Sequence, residues 1–559
     1  MVSLRAGLLL SLPGLMLVGL GAWAHDRTLT AYSVRLPLAE ARRLARGGSL
    51  RTASYQPRPR GETCRLQLRL VDAETQQPLV GMVRVTGPDG KAVELSGLVN
   101  RGIKLRDGHP AREWYALLRT ASVTVPRGRL RIEAVAGLDR ERSVRVLRLE
   151  ERSAAEVTLT LPRFADPARL GWRSGNTHLH LMGLTRSQAD EYLQTLPRAD
   201  GLELLFVSYL ERAEADRDYI SNQYRPRDLR ALSGPDLQFG DGEEHRHNFT
   251  GYGEGYGHVM LLQLRELVRP VSIGSGIMKA GPDWPPLRRG IQKARREGAT
   301  VIWCHNDYGM EDTPNWLAGL VQAHNIFDGG HHGSYRDTFY RYLNLGLKVP
   351  FSTGTDWFLY DYSRAYVRLE GPPTAARWLQ GLTQGRSYIT NSPLLEFRVE
   401  EREIGETIRL AGPRSVRVEG RAVGRHDFRQ VDVVQNGVVV RSAPSRRVGG
   451  HFEAELRFDL PITGPGWLAL KVAGEGPGAP REVPSLPRNE FGEALFGHTS
   501  PVYLEFAGRT IFQPEAAAGF LREMEQSLRV ISEKGQFETS AQREEVLAIY
   551  QEAIAGLRR

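Results

Sequence analysis

Gly175-Asn176-Thr177-His178-Leu179-His180 is the stretch from which the rest of the chain can be read. In extended backbone alternate side chains share a face, so His178 and His180 project to one side, where two imidazoles can clasp a metal ion. Such a pair also occurs on ordinary solvated strands, and the surroundings decide between the two. Nine of the fourteen His lie between His178 and His332. The same window holds Glu243-Glu244-His245-Arg246-His247, Gly257-His258, Cys304-His305-Asn306 and Gly354-Thr355-Asp356. Imidazoles and carboxylates gathered in this way bind divalent transition metals. The window reads as a metal site.

Around it, apolar runs suited to buried strands alternate with helical stretches. The runs are 201–208, 259–262, 300–303 and 349–352; the helices are expected over 187–196, 286–297 and 335–345. This rhythm over residues 166–395 predicts a parallel α/β domain, open or barrel-like. The polar motifs fall just after the strands, where barrel enzymes keep their active sites.

Both flanks alternate by two instead. Leu66, Leu68 and Leu70, then Val157, Leu159 and Leu161, predict a β-sandwich over 62–165. Val416 and Val418, Phe452 to Phe458, and Leu468 to Val472 predict a second, Ig-like sandwich over 396–510, with Asn436-Gly437 as a hairpin turn. Residues 511–559 read as a helical tail broken at Gly535, with Thr539 and Gln542 spaced as a capping box. At the start, Arg5, an apolar run and Ala22-Trp23-Ala24 describe a secretory signal over 1–24, followed by a helix and linker over 25–61. The expectation is an exported protein, periplasmic or extracellular, with no stable membrane span once the signal is cut.

A length of 559 residues implies several domains. Of the 74 basic residues only seven are Lys, and the Arg are scattered rather than gathered into a stripe. That excludes a nucleic-acid footprint, which needs clustering on one face. The two Cys, Cys64 and Cys304, fall in different predicted domains, so no disulfide is expected.

In their order and spacing the motifs of the middle region resemble the polymerase-and-histidinol-phosphatase (PHP) metallohydrolases, and most closely their CehA/McbA-like, carbaryl esterase-like branch. Gly175 to His180 is similar to that family's Gly-Asp-x-His-x-His, and Gly242-Glu243-Glu244 to its Gly-x-Glu. Gly257-His258, Cys304-His305-Asn306 and Gly354-Thr355-Asp356 follow in the family's order. So do Gly385 to Leu394 and His498 to Tyr503, so the resemblance covers about 175–507. It implies a distorted (β/α)7 barrel between the two sandwiches. It also implies a metal held by His178, His180, Glu244 and Asp356, with Glu244 bridging to a second metal on His258 and His305.

The departures are as informative. Where the family has Asp-His after its second strand, this chain reads Ser208-Tyr209-Leu210-Glu211, and the last Asp-x-His becomes Asp356-Trp357-Phe358. No His follows His180 within the next turn either. The absent residues all serve a third metal, so the expected cofactor is two divalent transition metals, Zn or Mn, with Fe an option. His247 and Asp307 are the expected proton-transfer residues. Glu211, Glu243, His245 and Trp357 form a second tier beside the ligands.

The expected activity is metal-dependent hydrolysis of an ester-type bond, a carboxyl or carbamate ester or a phosphoester, in a small-molecule or glycan substrate. The other reading is a non-catalytic surface or polysaccharide-binding protein on a degenerate scaffold of the same kind. Metal content separates the two.

Overall fold

The computed structural model describes residues 63–211, 219–249, 252–274, 281–305, 309–328, 333–472 and 487–559. The signal segment expected over 1–24 and the helix and linker over 25–61 lie outside them, as does Asp307.

Leu66, Leu68 and Leu70 bury one face of the strand Thr63–Asp72 while Arg65, Gln67 and Arg69 stay in water. This strand lies between Ala121–Pro126, antiparallel, and Ala154–Leu161, parallel. A second sheet has the order Val99–Asn100, Tyr115–Leu117, Gly81–Thr86, Arg129–Val135, Ser143–Arg148. The two share one apolar cluster that includes Leu68, Val83, Ile132 and Leu159.

In the middle region the strand Trp172–His180 runs parallel to Leu204–Tyr209, and that strand parallel to Gln238–Phe249. The next strand, Tyr252–Leu262, is antiparallel both to Gln238–Phe249 and to Thr300–Trp303. This corrects the all-parallel expectation. Only residues 250–251 separate the first two of these strands, and a connection so short closes a hairpin, never a crossover. Residues 252–257 therefore belong to the hairpin's second strand. Parallel pairing resumes through Thr300–Trp303, Ala323–Asn325 and Phe351–Ser352. Asp356–Trp357 pairs in parallel with Trp172–His180, on which Leu204–Tyr209 also pairs.

Helices pack outside these strands. Arg186–Asp200 starts at Thr185, whose hydroxyl accepts from Gln188 N–H in a full capping box. Leu287–Arg296 buries Leu287, Gly290, Ile291 and Ala294. The helix expected over 335–345 is instead a π-turn, Arg336–Tyr340, leading into Arg341–Leu343.

After Pro393 a five-stranded sheet (402–403, 394–399, 414–424, 451–462, 446–448) faces a second set of strands that includes Gln430–Gln435, Val438–Pro444 and Gly466–Val472. Asn436 and Gly437 turn that hairpin with φ of 53° and 92°, both positive, as a type I′ turn demands. The tail forms Pro514–Lys534 and Ser540–Arg558, separated at Gly535. Thr539 accepts from Gln542 N–H, but Gln542 caps Glu538 N–H rather than Thr539, so only half of the expected box forms. Phe520, Met524 and Tyr550 join the apolar cluster of Trp316 and Tyr342, which fixes the tail to the middle region. Among the described residues no helix is long and apolar enough to cross a membrane.

Charges tie the flanks together. Arg425 donates to the backbone oxygens of Arg140 (3.0 Å) and Gly137 (2.8 Å), and its Nε lies 2.7 Å from the buried Glu490 carboxylate. Burial opposes ionisation of Glu490, but Arg425 and His426 outweigh it and hold the group well below the usual range. A depressed carboxylate stabilises the fold above its unfolded pKa, and that stability is lost as pH falls through the folded value. Glu490→Gln is thus expected to cost about 3 kcal/mol at neutral pH, because it strands a buried guanidinium. In urea unfolding its deficit against the parent should shrink as pH falls below about 4. A deficit that does not change with pH would mean the pair adds no ionisation-linked stability.

Candidate metal centre

His178 and His180, both fully buried, end the strand Trp172–His180, with ring nitrogens Nε2 only 2.8 Å apart. Each ring is oriented from behind. His180 Nδ1 lies 2.9 Å from the Ser208 backbone oxygen, so it donates there. His178 Nδ1 lies 2.7 Å from Asp328 Oδ2, and Asn325 steadies that carboxylate with a 2.9 Å hydrogen bond. With Nδ1 engaged, both Nε2 atoms face the same space, the arrangement found where imidazoles ligate metals.

Two carboxylates complete the first group. Glu244 Oε2 is 3.1 Å from His180 Nε2 and 3.8 Å from His178 Nε2. Asp356 Oδ1 is 3.3 Å from His178 Nε2 and 3.6 Å from His180 Nε2. Asp356 has φ of 55°, in the left-handed region that Asp and Asn tolerate better than most side chains. The turn before it depends on Gly354, where a Cβ would lie 2.6 Å from His178 Cβ. A second group lies on the other oxygen of Glu244: His258 Nδ1 is 3.2 Å and His305 Nε2 3.5 Å from Oε1. Glu244 thus belongs to both groups, one oxygen in each.

The donor set fits divalent metal. His178, His180, Glu244 and Asp356 offer ligand atoms within 4.8 Å of one another, as do Glu244, His258 and His305. All six are buried, and Asp356 Oδ1 has no hydrogen-bond partner among the described residues. Electrostatics divide the set: burial presses His178 down, but Asp328, Asp356 and Glu244 outweigh it and hold the ring well above the usual imidazole range. Burial disfavours ionised Glu244, yet Arg246 and the three imidazoles of His178, His180 and His258 hold its pKa well below the usual range. Burial and Arg246 press His258 down, leaving it neutral and able to donate a lone pair. The buried His, Glu and Asp of this cluster can bind a metal.

The other expected site residues stand elsewhere. Along Gln238–Phe249 the side chains alternate, so Glu244, Arg246 and Asn248 share one face and Glu243, His245 and His247 the other. Glu243 accepts from Val268 N–H at 2.7 Å and lies 3.3 Å from His245 Nδ1. His245 presses against the helix Leu287–Arg296, where a Cβ on Gly290 would sit 2.3 Å from His245 Nε2. His247 stacks on Tyr256 with centroids 3.7 Å apart, accepts from Tyr256 N–H, and lies 3.1 Å from Asp283. The expected proton-transfer role of His247 is therefore corrected: it looks away from Glu244 and serves packing. Asp307 lies outside the described residues. Glu211 pairs with Arg269 at 2.9 Å and accepts from Tyr209 Oη. Trp357 lines the cluster, its ring 5.2 Å from that of His180. Phe358 packs on Tyr192 and Tyr360, and the Ser208 backbone oxygen faces His180 Nδ1.

Two residues escaped the sequence reading. Asp328 follows the strand Ala323–Asn325, the same strand-end position as the motifs, and that placement could have flagged it. Arg246 stands two residues after Glu244, and strand alternation alone puts it on the same face. Asp328→Ala is expected to leave the fold intact and weaken metal binding about 10- to 100-fold, the usual effect of losing a carboxylate behind a ligating imidazole. Competition with a chromogenic chelator measures this; unchanged affinity would mean that His178 needs no such support.

No protein-family model and no curated protein matches the chain. Among solved structures, the apo structure of Bacteroides uniformis beta-glucuronidase 3 aligns over 80% of this chain and 63% of that chain, at 10% identity and a TM-score of 0.14. This chain thus spans less than two thirds of that protein's length, and a likeness so weak carries neither fold nor activity across.

Proposed function

We propose that this protein is an exported hydrolase of ester-type bonds that works with two divalent transition metals, Zn or Mn, in a PHP-like barrel of the CehA/McbA-like kind. The observation that carries the proposal is Glu244, whose two oxygens face two separate imidazole groups inside one buried cluster. Bound there, such metals would activate water and offset charge on the attacked group. The chain's own residues perform the rest. Asp328 and the Ser208 carbonyl hold His178 and His180 in the tautomer that leaves Nε2 free to ligate. Trp357 walls one side of the cluster and excludes water there. Imidazole with carboxylate favours Zn, Mn or Fe over Ca or Mg.

Elemental analysis of protein purified without chelator is expected to approach two metals per chain, and a chelator should abolish hydrolysis of chromogenic esters. Three metals would contradict the reading of the lost third position. Protein that binds none would be the scaffold of the alternative reading.

A further inference from the structure

Asp356 opens a short segment whose backbone is strained and whose far end is gripped by another part of the protein. Asp356 and Phe358 both have left-handed φ, 55° and 53°. Asp tolerates that region, but for a side chain as bulky as Phe it is an outlier that surrounding structure must enforce. Phe358 N–H donates to the His180 carbonyl at 3.0 Å, and Leu359 N–H to the Tyr192 hydroxyl at 2.7 Å. The next two residues are held by the N-terminal sandwich. Tyr360 Oη donates to the Ile103 carbonyl at 2.9 Å, and Arg101 Nη2 to the Asp361 carbonyl at 2.6 Å.

Arg101 follows the strand Val99–Asn100 and is fully buried, its backbone N–H fixed on the Trp114 carbonyl at 2.9 Å. The guanidinium donates to both oxygens of Asp200, which ends the helix Arg186–Asp200. It also lies over the rings of Tyr362 and Phe491, with 4.9 and 4.2 Å to the centroids. Its oxygen acceptors, Asp200 and Asp361, both belong to the middle region. A planar fork sets its acceptors in one geometry, so the Asp361 carbonyl cannot move relative to that helix without breaking a buried ion pair.

We propose that the N-terminal sandwich is part of the metal centre, with Arg101 a positioning residue. By holding Asp361, five residues after Asp356, it keeps the strained turn from relaxing and so aims the Asp356 carboxylate at His178 and His180. This rests on the metal-centre reading above. It differs from a merely structural role in being selective: it acts on the position that includes Asp356 and not on the one formed by His258 and His305.

The test titrates the full protein, stripped with a chelator, with Zn²⁺ by calorimetry, and compares Arg101→Met, Tyr360→Phe and Asp356→Asn. The parent should bind in two steps. Arg101→Met should weaken the step that Asp356→Asn also weakens, about 10- to 100-fold, as when the support behind a metal ligand is lost. The other step should not move. Arg364 Nη2 stays 3.7 Å from Asp200, which therefore keeps a cation in this variant. Tyr360→Phe removes one neutral hydrogen bond and leaves the ion pair whole, so the same step should weaken about 3- to 10-fold. Adding Asp200→Asn to Arg101→Met should restore the unfolding midpoint but not the affinity. Both steps unchanged in Arg101→Met and Tyr360→Phe overturn the proposal. So do two steps weakened together and both restored by Asp200→Asn, which would make Arg101 a partner for Asp200 only. Should Arg101→Met fail to fold, Tyr360→Phe decides by the same criterion. A parent that binds no metal overturns the metal-centre reading and this inference with it; a parent that binds two, indifferent to these substitutions, overturns this inference alone.

Discussion

Glu244→Ala is expected to empty both metal positions and abolish hydrolysis. Oε2 stands 3.1 Å from His180 and Oε1 3.2 Å from His258, so one side chain supplies a ligand atom to each group. Removing it takes an anionic ligand from both at once. The loss should exceed the roughly 10- to 100-fold that follows deletion of an outer partner. It also strands Arg246 against two imidazole groups, which further repels cations. Glu244→Gln separates these effects: its amide oxygen can still accept from Arg246, but the charge is gone. Elemental analysis of both variants decides the matter, and an Ala variant that keeps two metals would show that Glu244 does not join the groups.

The second large effect is expected from Asp356→Asn. Asp356 sits at φ 55°, and Asn is among the few side chains at ease there, so the backbone should not move. Only the charge facing His178 and His180 is lost. Hydrolysis should fall by more than 100-fold, with circular dichroism and the unfolding midpoint close to the parent's. Cys304→Ser is the internal control. Cys304 is fully buried within the apolar cluster of Trp303 and Ile302, beside His305 yet outside each group that could hold a metal. Its replacement should cost some stability and spare most of the activity. An active Asp356→Asn, or a folded, metal-loaded Cys304→Ser that is dead, would reverse the two roles.

Much of the centre was legible because its signals are local. His178 and His180 are two apart on a strand, and two-residue periodicity alone puts them on one side. Asn436-Gly437 is a turn by its own φ preferences. The order of the motifs brought Glu244, His258, His305 and Asp356 into the same picture through resemblance. His247 shows the limit. It belongs to a strand dense in titratable side chains, and nothing within that strand says which face looks inward. Packing of Glu243, His245 and His247 against the helix Leu287–Arg296, Tyr256 and Asp283 decides it.

By itself the sequence determined the paired histidines, the Asn436-Gly437 turn and the alternation of faces along strands such as Thr63–Asp72, since each follows from backbone geometry within a few residues. The tertiary structure alone decided that Tyr252–Leu262 runs backwards, that Asp328 stands behind His178 from 150 positions away, and that Arg246 rather than His247 meets Glu244. The physical reason is register. A strand's alternation is intrinsic, but which of its two faces is buried with which partners depends on neighbours distant in the chain, and a shift of one residue would exchange the faces.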